Sequence, residues 1–127
     1  MRYGAVPWVV YTSPEVAGVG LTEREAREQG RAVRVASLPM KANGRYLAEH
    51  ANEPGLCKAV VDRRRGTLLG LQMVGAGCSE IIYGAAAMIE AELRVRDIRE
   101  IIFPHPTVSE IIKDTLWQGE LNESKGE

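Results

Sequence analysis

A histidine held between two prolines is the residue of this chain best suited to chemistry. His105 is flanked by Pro104 and Pro106, and Glu110 follows five residues later. Proline fixes the backbone φ angle, so the imidazole is attached to a stiff segment. Histidine takes up and releases protons near neutral pH, and a carboxylate on one ring nitrogen fixes the tautomer and stabilises the imidazolium. These residue types at this spacing point to His105 and Glu110 as a catalytic acid/base pair.

The same residues also allow a purely structural interpretation. Thr107 and Glu110 have the spacing of a helix capping box, in which the glutamate accepts an N–H group of its own backbone. His105 would then be an ordinary loop histidine. Spacing alone leaves both interpretations open.

The two cysteines are poor candidates for redox or metal chemistry. Cys57 and Cys78 are too far apart in sequence to form a Cys-x-x-Cys pair. Together with the scattered His50 and His105 they also make a poor zinc set. We therefore predict two reduced, buried cysteines and no metal site.

A glycine-rich turn at residues 74–80 imitates the start of a dinucleotide-binding fingerprint, since it follows a predicted strand and precedes a predicted helix. Glu80 stands where the fingerprint has its third glycine, and a carboxylate at a helix N-terminus opposes a pyrophosphate. The preceding strands also form a hairpin pattern rather than a βαβ unit. We interpret the turn as the start of a helix and predict no cofactor-binding residue in this chain.

Length and composition limit the kinds of protein that these residues can belong to. The chain has 127 residues, of which 45% are hydrophobic and 26% charged, as expected for one globular domain spanning residues 1–127. The net charge of −1 offers no basic field for nucleic acid or an anionic membrane. We see no membrane-spanning run and no signal peptide, so we expect a cytoplasmic protein.

The apolar pattern predicts an α+β fold in which an antiparallel sheet packs against helices. Residues 39–54 are polar and are predicted to form a long irregular loop. The ends, residues 1–4 and 120–127, are expected to be flexible. Strands are predicted at residues 6–11, 16–21, 31–38, 56–62 and 67–74; helices are predicted at 22–29 after a Thr22 capping box, at 79–93, at 95–102, and from about 107 to a stop at Gly119.

Three stretches resemble the C-terminal domain of the pyridine nucleotide-disulfide oxidoreductases. His105–Glu110 is similar to the family's His-Pro-Thr-x-Ser-Glu signature, and Tyr11–Glu23 resembles the opening of that domain. Gly66–Gly75 resembles its central hairpin strand. The resemblance covers roughly residues 5–119 and is strongest to the dihydrolipoamide dehydrogenases in the family. It implies the fold of the FAD/NAD-linked reductase C-terminal dimerisation domain.

The resemblance also implies a role for the histidine. In such enzymes this domain forms the homodimer interface, and its histidine reaches the redox disulfide and flavin of the other subunit. His105 and Glu110 are then the catalytic residues, the His105–Pro106 segment lies near the partner's flavin, and the peptide bond between them is cis. The Ala-rich helix and the apolar face of the last helix are the expected contact surfaces.

The resemblance implies cofactors and partners that this chain does not itself provide for. FAD and NAD belong to the full-length enzyme, whose N-terminal FAD and NAD domains and redox cysteines are absent from this sequence. The expected substrate is a lipoyl carrier, and the chain alone is expected to bind no cofactor and to be inactive. Two alternatives stay open: a non-catalytic homodimerisation module, or the same domain of a glutathione or mercuric reductase-like enzyme.

Overall fold

The computed structural model describes the backbone of residues 3–124 and the side chains of residues 3–120. It confirms the α+β class, with one five-stranded sheet in the order β1-β2-β5-β4-β3 and every neighbouring pair antiparallel. The strands are β1 (Trp8–Val10), β2 (Val16–Gly20), β3 (Val33–Pro39), β4 (Leu56–Asp62) and β5 (Leu68–Val74). The helices are α1 (Glu23–Glu28), α2 (Gly44–Glu49), α3 (Cys78–Glu90), α4 (Val95–Glu100) and α5 (Glu110–Ser124).

The predicted hairpin at the centre of the sheet is confirmed. β4 and β5 pair from Leu56 opposite Val74 to Val61 opposite Leu68. The Asp62 carboxylate accepts the backbone N–H groups of Arg64 and Arg65 at 2.9 Å each, which satisfies the donors of the turn. This hairpin carries β5 directly into the turn that starts α3.

Helices cover both faces of the sheet, with two long helices on one face and one short helix on the other. α3 packs on β2 and β5, while α5 packs on β3 and β4, so the two long helices share one face. The principal core lies beneath them and includes the fully or almost fully buried Leu71, Met73, Ile111, Ile112 and Leu116. α1 covers a smaller cluster of Ala26, Val33 and Val60 on the other face. The buried residues of α5 therefore hold the N-terminus of this helix against the sheet.

The capping box predicted at Thr22 is confirmed. The Thr22 hydroxyl accepts the Glu25 backbone N–H at 3.2 Å, and the Glu25 carboxylate accepts the Thr22 N–H at 2.8 Å. Gly30 follows the helix with a φ of 73°, the left-handed conformation that glycine adopts without strain.

The prediction of an irregular loop at residues 39–54 is wrong. Met40–Ala42 form a 3₁₀ turn, and α2 follows at once. Met40 and Tyr46 are both 0% exposed, so this segment contributes to the core. A six-residue helix offers too few positions for a clear apolar period, and its stability comes from packing that the sequence pattern does not display.

The prediction that Gly119 ends the last helix is also wrong, because α5 continues to Ser124. A Cβ at Gly119 would lie 2.7 Å from the Cβ of Ala36, so glycine here permits the close approach of α5 to β3. Of the ends expected to be flexible, residues 120–124 are helical and Tyr3–Ala5 form a 3₁₀ turn. Residues 1–2 and 125–127 lie outside the described residues. No helix in the described part of the chain is both long and apolar enough to cross a bilayer.

Candidate catalytic site

The segment that carries His105 runs from the end of α4 to the start of α5. The Lys113 ammonium, one turn into α5, donates a hydrogen bond to the Ile101 carbonyl at 3.2 Å. The same ammonium lies 5.9 Å from the centre of the Phe103 ring. The peptide bond between His105 and Pro106 is cis, as the resemblance implies.

The structure brings His105 and Glu110 together. Nδ1 of His105 lies 3.0 Å from Oε1 and 3.1 Å from Oε2 of Glu110. The His105 side chain is 81% exposed, whereas the Glu110 side chain is only 23% exposed. The Glu110 carboxylate is thus held within the surface of the domain, and the His105 imidazole projects from that surface.

Glu110 also makes the backbone contact that the structural interpretation requires. Its Oε2 accepts the Thr107 N–H at 3.0 Å. Among the described residues no hydrogen bond from the Glu110 N–H to the Thr107 hydroxyl completes a capping box, and that hydroxyl donates to the Pro104 carbonyl at 2.7 Å. One carboxylate therefore serves the loop backbone and the imidazole at the same time, and the two interpretations of the sequence are compatible.

The electrostatics of the pair favour an ionised carboxylate. The hydrogen bond from the Thr107 N–H lowers the pKa of Glu110 below its ordinary value; partial burial acts in the opposite direction, and His105 lowers the pKa further. An ionised carboxylate only accepts hydrogen bonds, so Nδ1 of His105 must carry the proton between them. Nε2 is then the proton-accepting nitrogen, and it has no hydrogen-bond partner among the described residues.

Two residues hold this loop: Asn43, which sequence reasoning missed, and Thr107, for which the sequence predicts only a helix-capping role. Thr107 uses its N–H, its hydroxyl and its carbonyl in three separate hydrogen bonds. The carbonyl accepts from the Nδ2 amide of Asn43 at 2.9 Å. The sequence Asn43-Gly44 is typical of an ordinary turn. Nothing in the neighbouring sequence therefore links Asn43 to a site 64 residues away.

The glycine-rich turn does not provide for a nucleotide. α3 begins at Cys78 after Gly77, which adopts a φ of 77°. The Glu15 carboxylate accepts the Ser79 backbone N–H at 3.0 Å, so the chain's own acid lies at the helix N-terminus where a pyrophosphate would bind. The residues of this turn do not fit FAD or NAD.

Both cysteine thiols are free and buried, as predicted. Burial raises the pKa of the Cys57 thiol to about 11 and that of Cys78 to about 12. The thiolate is the reactive form, so neither thiol is suited to disulfide exchange near neutral pH. Among the described residues no three His, Cys, Asp or Glu side chains form a group that could hold a metal. His50 instead contacts the Glu53 carboxylate through Nδ1 at 3.2 Å.

The surface also contains a polar groove that is separate from the His–Glu pair. Its volume is about 890 Å³, and neither His105 nor Glu110 lines it. It lies between the β4–β5 turn and the connection from α3 to α4, and its walls include Arg63–Arg65 together with Glu92 and Arg94. The reactive geometry of this chain is therefore on an open surface, not in this groove.

The sequence matches the family described as the pyridine nucleotide-disulphide oxidoreductase dimerisation domain over residues 6–116. This chain belongs to that family. The match spans all five strands and extends into α5, and it contains both His105 and Glu110. The resemblance drawn from three short stretches is confirmed, and so is the expected fold.

Curated relatives of this dimerisation domain include dihydrolipoyl dehydrogenases. The enzyme of Rhizobium etli is 42% identical over 113 residues, which cover 89% of this chain and 23% of the relative. That of Thermus scotoductus is 48% identical over 105 residues, covering 83% of this chain and 23% of the relative. The dimerisation domain thus spans about a quarter of the length of the enzymes it matches.

A solved structure agrees with the sequence comparison. The HOCl-induced flavoprotein disulfide reductase RclA from Escherichia coli superposes on the dimerisation domain with a TM-score of 0.82 and 31% identity. The match covers 88% of this chain and 26% of that chain. In these relatives the matched segment is one part of a longer oxidoreductase.

Proposed function

We propose that this domain supplies the His105–Glu110 acid/base pair to the redox site of the partner subunit in a dihydrolipoamide dehydrogenase-like enzyme. One observation carries the proposal: an exposed imidazole whose Nδ1 lies 3.0 Å from a largely buried carboxylate. The dihydrolipoyl dehydrogenase relatives support the substrate class. The full-length enzyme would hold FAD and NAD in its other domains, act on a lipoyl carrier and reside in the cytoplasm.

The pair is arranged to move one proton at Nε2 of His105. A dithiol substrate reacts as its thiolate, yet an alkyl thiol is mostly protonated near neutral pH. Nε2 takes the thiol proton as the sulfur attacks the partner's disulfide, and Glu110 stabilises the imidazolium that forms. In that attack the partner's disulfide bond would break as a mixed disulfide forms, and a bound flavin would supply the acceptor for the two electrons that the dithiol loses. His105 afterwards returns its proton to the solvent or to the thiolate that leaves the broken disulfide bond.

The geometry also suits delivery of the imidazole to a second subunit. His105 extends from the surface instead of into the domain's own core. Ile102, three residues earlier, is 93% exposed, and Tyr83 on α3 is 76% exposed. We propose that these two exposed side chains contact the second subunit. The expected contact through the apolar face of α5 is wrong, because Ile111, Ile112 and Leu116 are buried against this domain's own sheet.

α3 keeps a surface that a second copy can approach. Tyr83 and Ala87 are exposed and Gly84 is half-buried, so the middle of the outward side carries two small residues beside Tyr83, with exposed Glu80 and Glu90 towards its two ends. Small side chains let two helices pack closely. We place the two-fold contact of the homodimer on this side of α3 and on the segment around Ile102.

A chimeric enzyme tests the catalytic role. The segment of the Rhizobium etli dihydrolipoyl dehydrogenase that matches this chain is replaced by this chain, and dihydrolipoamide-dependent NAD reduction is measured. His105→Gln should lower kcat by about 10²- to 10⁴-fold, because a positioned general base contributes that much. Flavin content, measured by absorbance, should stay unchanged. His50→Gln is the matched control, since His50 also contacts a glutamate but lies outside the proposed site.

Normal turnover of the His105→Gln chimera would refute the acid/base role and leave a dimerisation module without a part in catalysis. A second measurement compares dihydrolipoamide with glutathione disulfide and mercuric ion as substrates. Activity with one of the latter two in place of dihydrolipoamide would assign the domain to a different member of the family.

A further inference from the structure

The segment between β3 and β4 reaches the catalytic loop through one buried amide. Asn43 is 4% exposed and lies 64 residues before Thr107 in sequence. Its Oδ1 accepts the Tyr46 backbone N–H at 2.9 Å, which caps α2, and its Nδ2 donates to the Thr107 carbonyl at 2.9 Å. Asn43 thus joins a helix cap to the loop that carries His105.

The contact leads directly to the proposed acid/base pair. Thr107 accepts from Asn43 through its carbonyl and donates its N–H to Oε2 of Glu110 at 3.0 Å. Oε1 of the same carboxylate lies 3.0 Å from Nδ1 of His105. Each link is a single hydrogen bond of ordinary length, so the amide lies three bonds from the imidazole.

The chemistry of this position requires an amide. A side-chain amide offers one acceptor and one donor, and the surroundings fix which is which, since Tyr46 N–H is a donor and Thr107 C=O is an acceptor. Aspartate would keep the cap on α2 but place a negative oxygen against the Thr107 carbonyl. Serine would also keep the cap but is too short to reach that carbonyl. The two functions of Asn43 can therefore be separated by substitution.

The rest of the segment gives the amide a rigid base. Met40 and Tyr46, on either side of Asn43, are completely buried. The Tyr46 hydroxyl donates to the Pro54 carbonyl at 3.3 Å, and the Met40 N–H donates to the Gly55 carbonyl at 3.0 Å. These two hydrogen bonds join the start of the segment and α2 to the residues just before β4. Movement of Asn43 would therefore disturb buried contacts.

We propose that Asn43 is a positioning residue for the His105–Glu110 pair, and that the segment 39–54 serves to present it. By holding Thr107, Asn43 holds the N–H that orients Glu110, and Glu110 in turn selects the Nδ1–H tautomer of His105. The catalytic meaning of this arrangement rests on the proposed function, whereas the positioning itself does not.

Nitrogen NMR of the 15N-labelled chain tests the positioning without any activity. The ring nitrogens report the tautomer of the neutral imidazole, and His105→Gln assigns the signals against those of His50. The unaltered chain should show His105 mainly as the Nδ1–H tautomer. Asn43→Asp and Asn43→Ser should lose that preference and show the mixed population of an unrestrained histidine.

Thr22→Ala is the matched control, because it removes a helix cap of the same kind at α1, on the other face of the sheet. It should leave the His105 tautomer unchanged. If Asn43→Asp and Asn43→Ser fold, as judged by circular dichroism, and retain the Nδ1–H tautomer, the positioning role is overturned.

A measurement on the unaltered chain covers the case in which both variants unfold. The Asn43 side-chain protons should exchange with solvent far more slowly than those of Asn52, which is exposed. Equally fast exchange at the two residues would overturn the role.

Kinetics of the chimera separate this inference from the proposed function. Asn43→Asp should lower kcat while KM changes little, and Asn43→Ser should behave similarly. If His105→Gln leaves turnover normal but the Asn43 variants lose the tautomer, the catalytic proposal fails and the positioning stands. If His105→Gln abolishes turnover but the Asn43 variants keep both tautomer and kcat, the positioning fails alone.

Discussion

Gly119 and Gly84 offer a direct test of how closely α5 is packed on the sheet. Both lie within long helices, where alanine is favoured over glycine by about 1 kcal/mol. A Cβ added at Gly84 meets no atom within 4 Å. A Cβ added at Gly119 would lie 2.7 Å from the Cβ of Ala36, well inside the contact distance of about 3.5 to 4.0 Å for carbon atoms.

The two substitutions should therefore have opposite signs. Gly84→Ala gains the helix preference alone and should raise the free energy of unfolding by about 1 kcal/mol. Gly119→Ala gains the same preference but must displace Ala36, whose Cβ is fixed to a central part of β3 that pairs with Ala59. Overpacking of this kind costs about 1 to 3 kcal/mol, so we expect a net loss of about 1 kcal/mol.

Urea denaturation followed by tryptophan fluorescence measures both effects, since Trp8 and Trp117 are the two reporters in the sequence. Gly84 lies on the side of α3 where the dimer contact is proposed. Denaturation at two chain concentrations therefore separates an effect on folding from an effect on self-association. The double variant Ala36→Gly with Gly119→Ala should recover part of the loss, because it removes the methyl that collides. A Gly119→Ala variant as stable as Gly84→Ala would refute the close approach of α5 to β3.

Two further predictions concern the acid of the site and the assembly of the chain. Because the folded chain lowers the pKa of Glu110 below its ordinary 4.5, this carboxylate stabilises the fold above that pH and loses the contribution as the pH falls through the folded value. The difference in unfolding free energy between the unaltered chain and Glu110→Gln should therefore be largest near neutral pH and shrink as the pH falls from the ordinary value of 4.5 through the lowered pKa of the folded chain; a difference that is constant with pH, measured by urea denaturation, would contradict this. Light scattering after size exclusion should show a dimer at high chain concentration and a shift towards monomer for Tyr83→Glu, and a strict monomer at every concentration would argue against the α3 contact.

Much of the fold follows from local patterns in the sequence. The β4–β5 hairpin has predominantly apolar strands on either side of a turn that ends in Gly66, and both strands form within one residue of the predicted bounds. Thr22 and Glu25 mark the start of α1 by their chemistry alone. His105 and Glu110 are close enough in sequence for their contact to be anticipated. These features depend on residues that are near one another along the chain.

The features that sequence reasoning missed depend on residues that are far apart. Gly119 looks like a helix terminator until Ala36 is known to lie against it. Met40 and Tyr46 sit in a polar stretch, and only the assembled core shows that they are buried. The hydrogen bond from Asn43 to Thr107 joins two loops that have no pattern in common. A long-range contact of this kind has no signature in a single sequence.

The order of the strands has a consequence for synthesis on the ribosome. β2 pairs with β1 on one side and with β5 on the other, and Glu15 just before it reaches the backbone of Ser79. β3, β4 and β5 can pair as they emerge, one after another. Within this domain the β1–β2 hairpin is made roughly fifty residues before its partner strand β5, and a two-stranded hairpin alone is at best marginally stable. Docking of β1 and β2 on β5 therefore completes the sheet, although within this domain these two strands precede the other three.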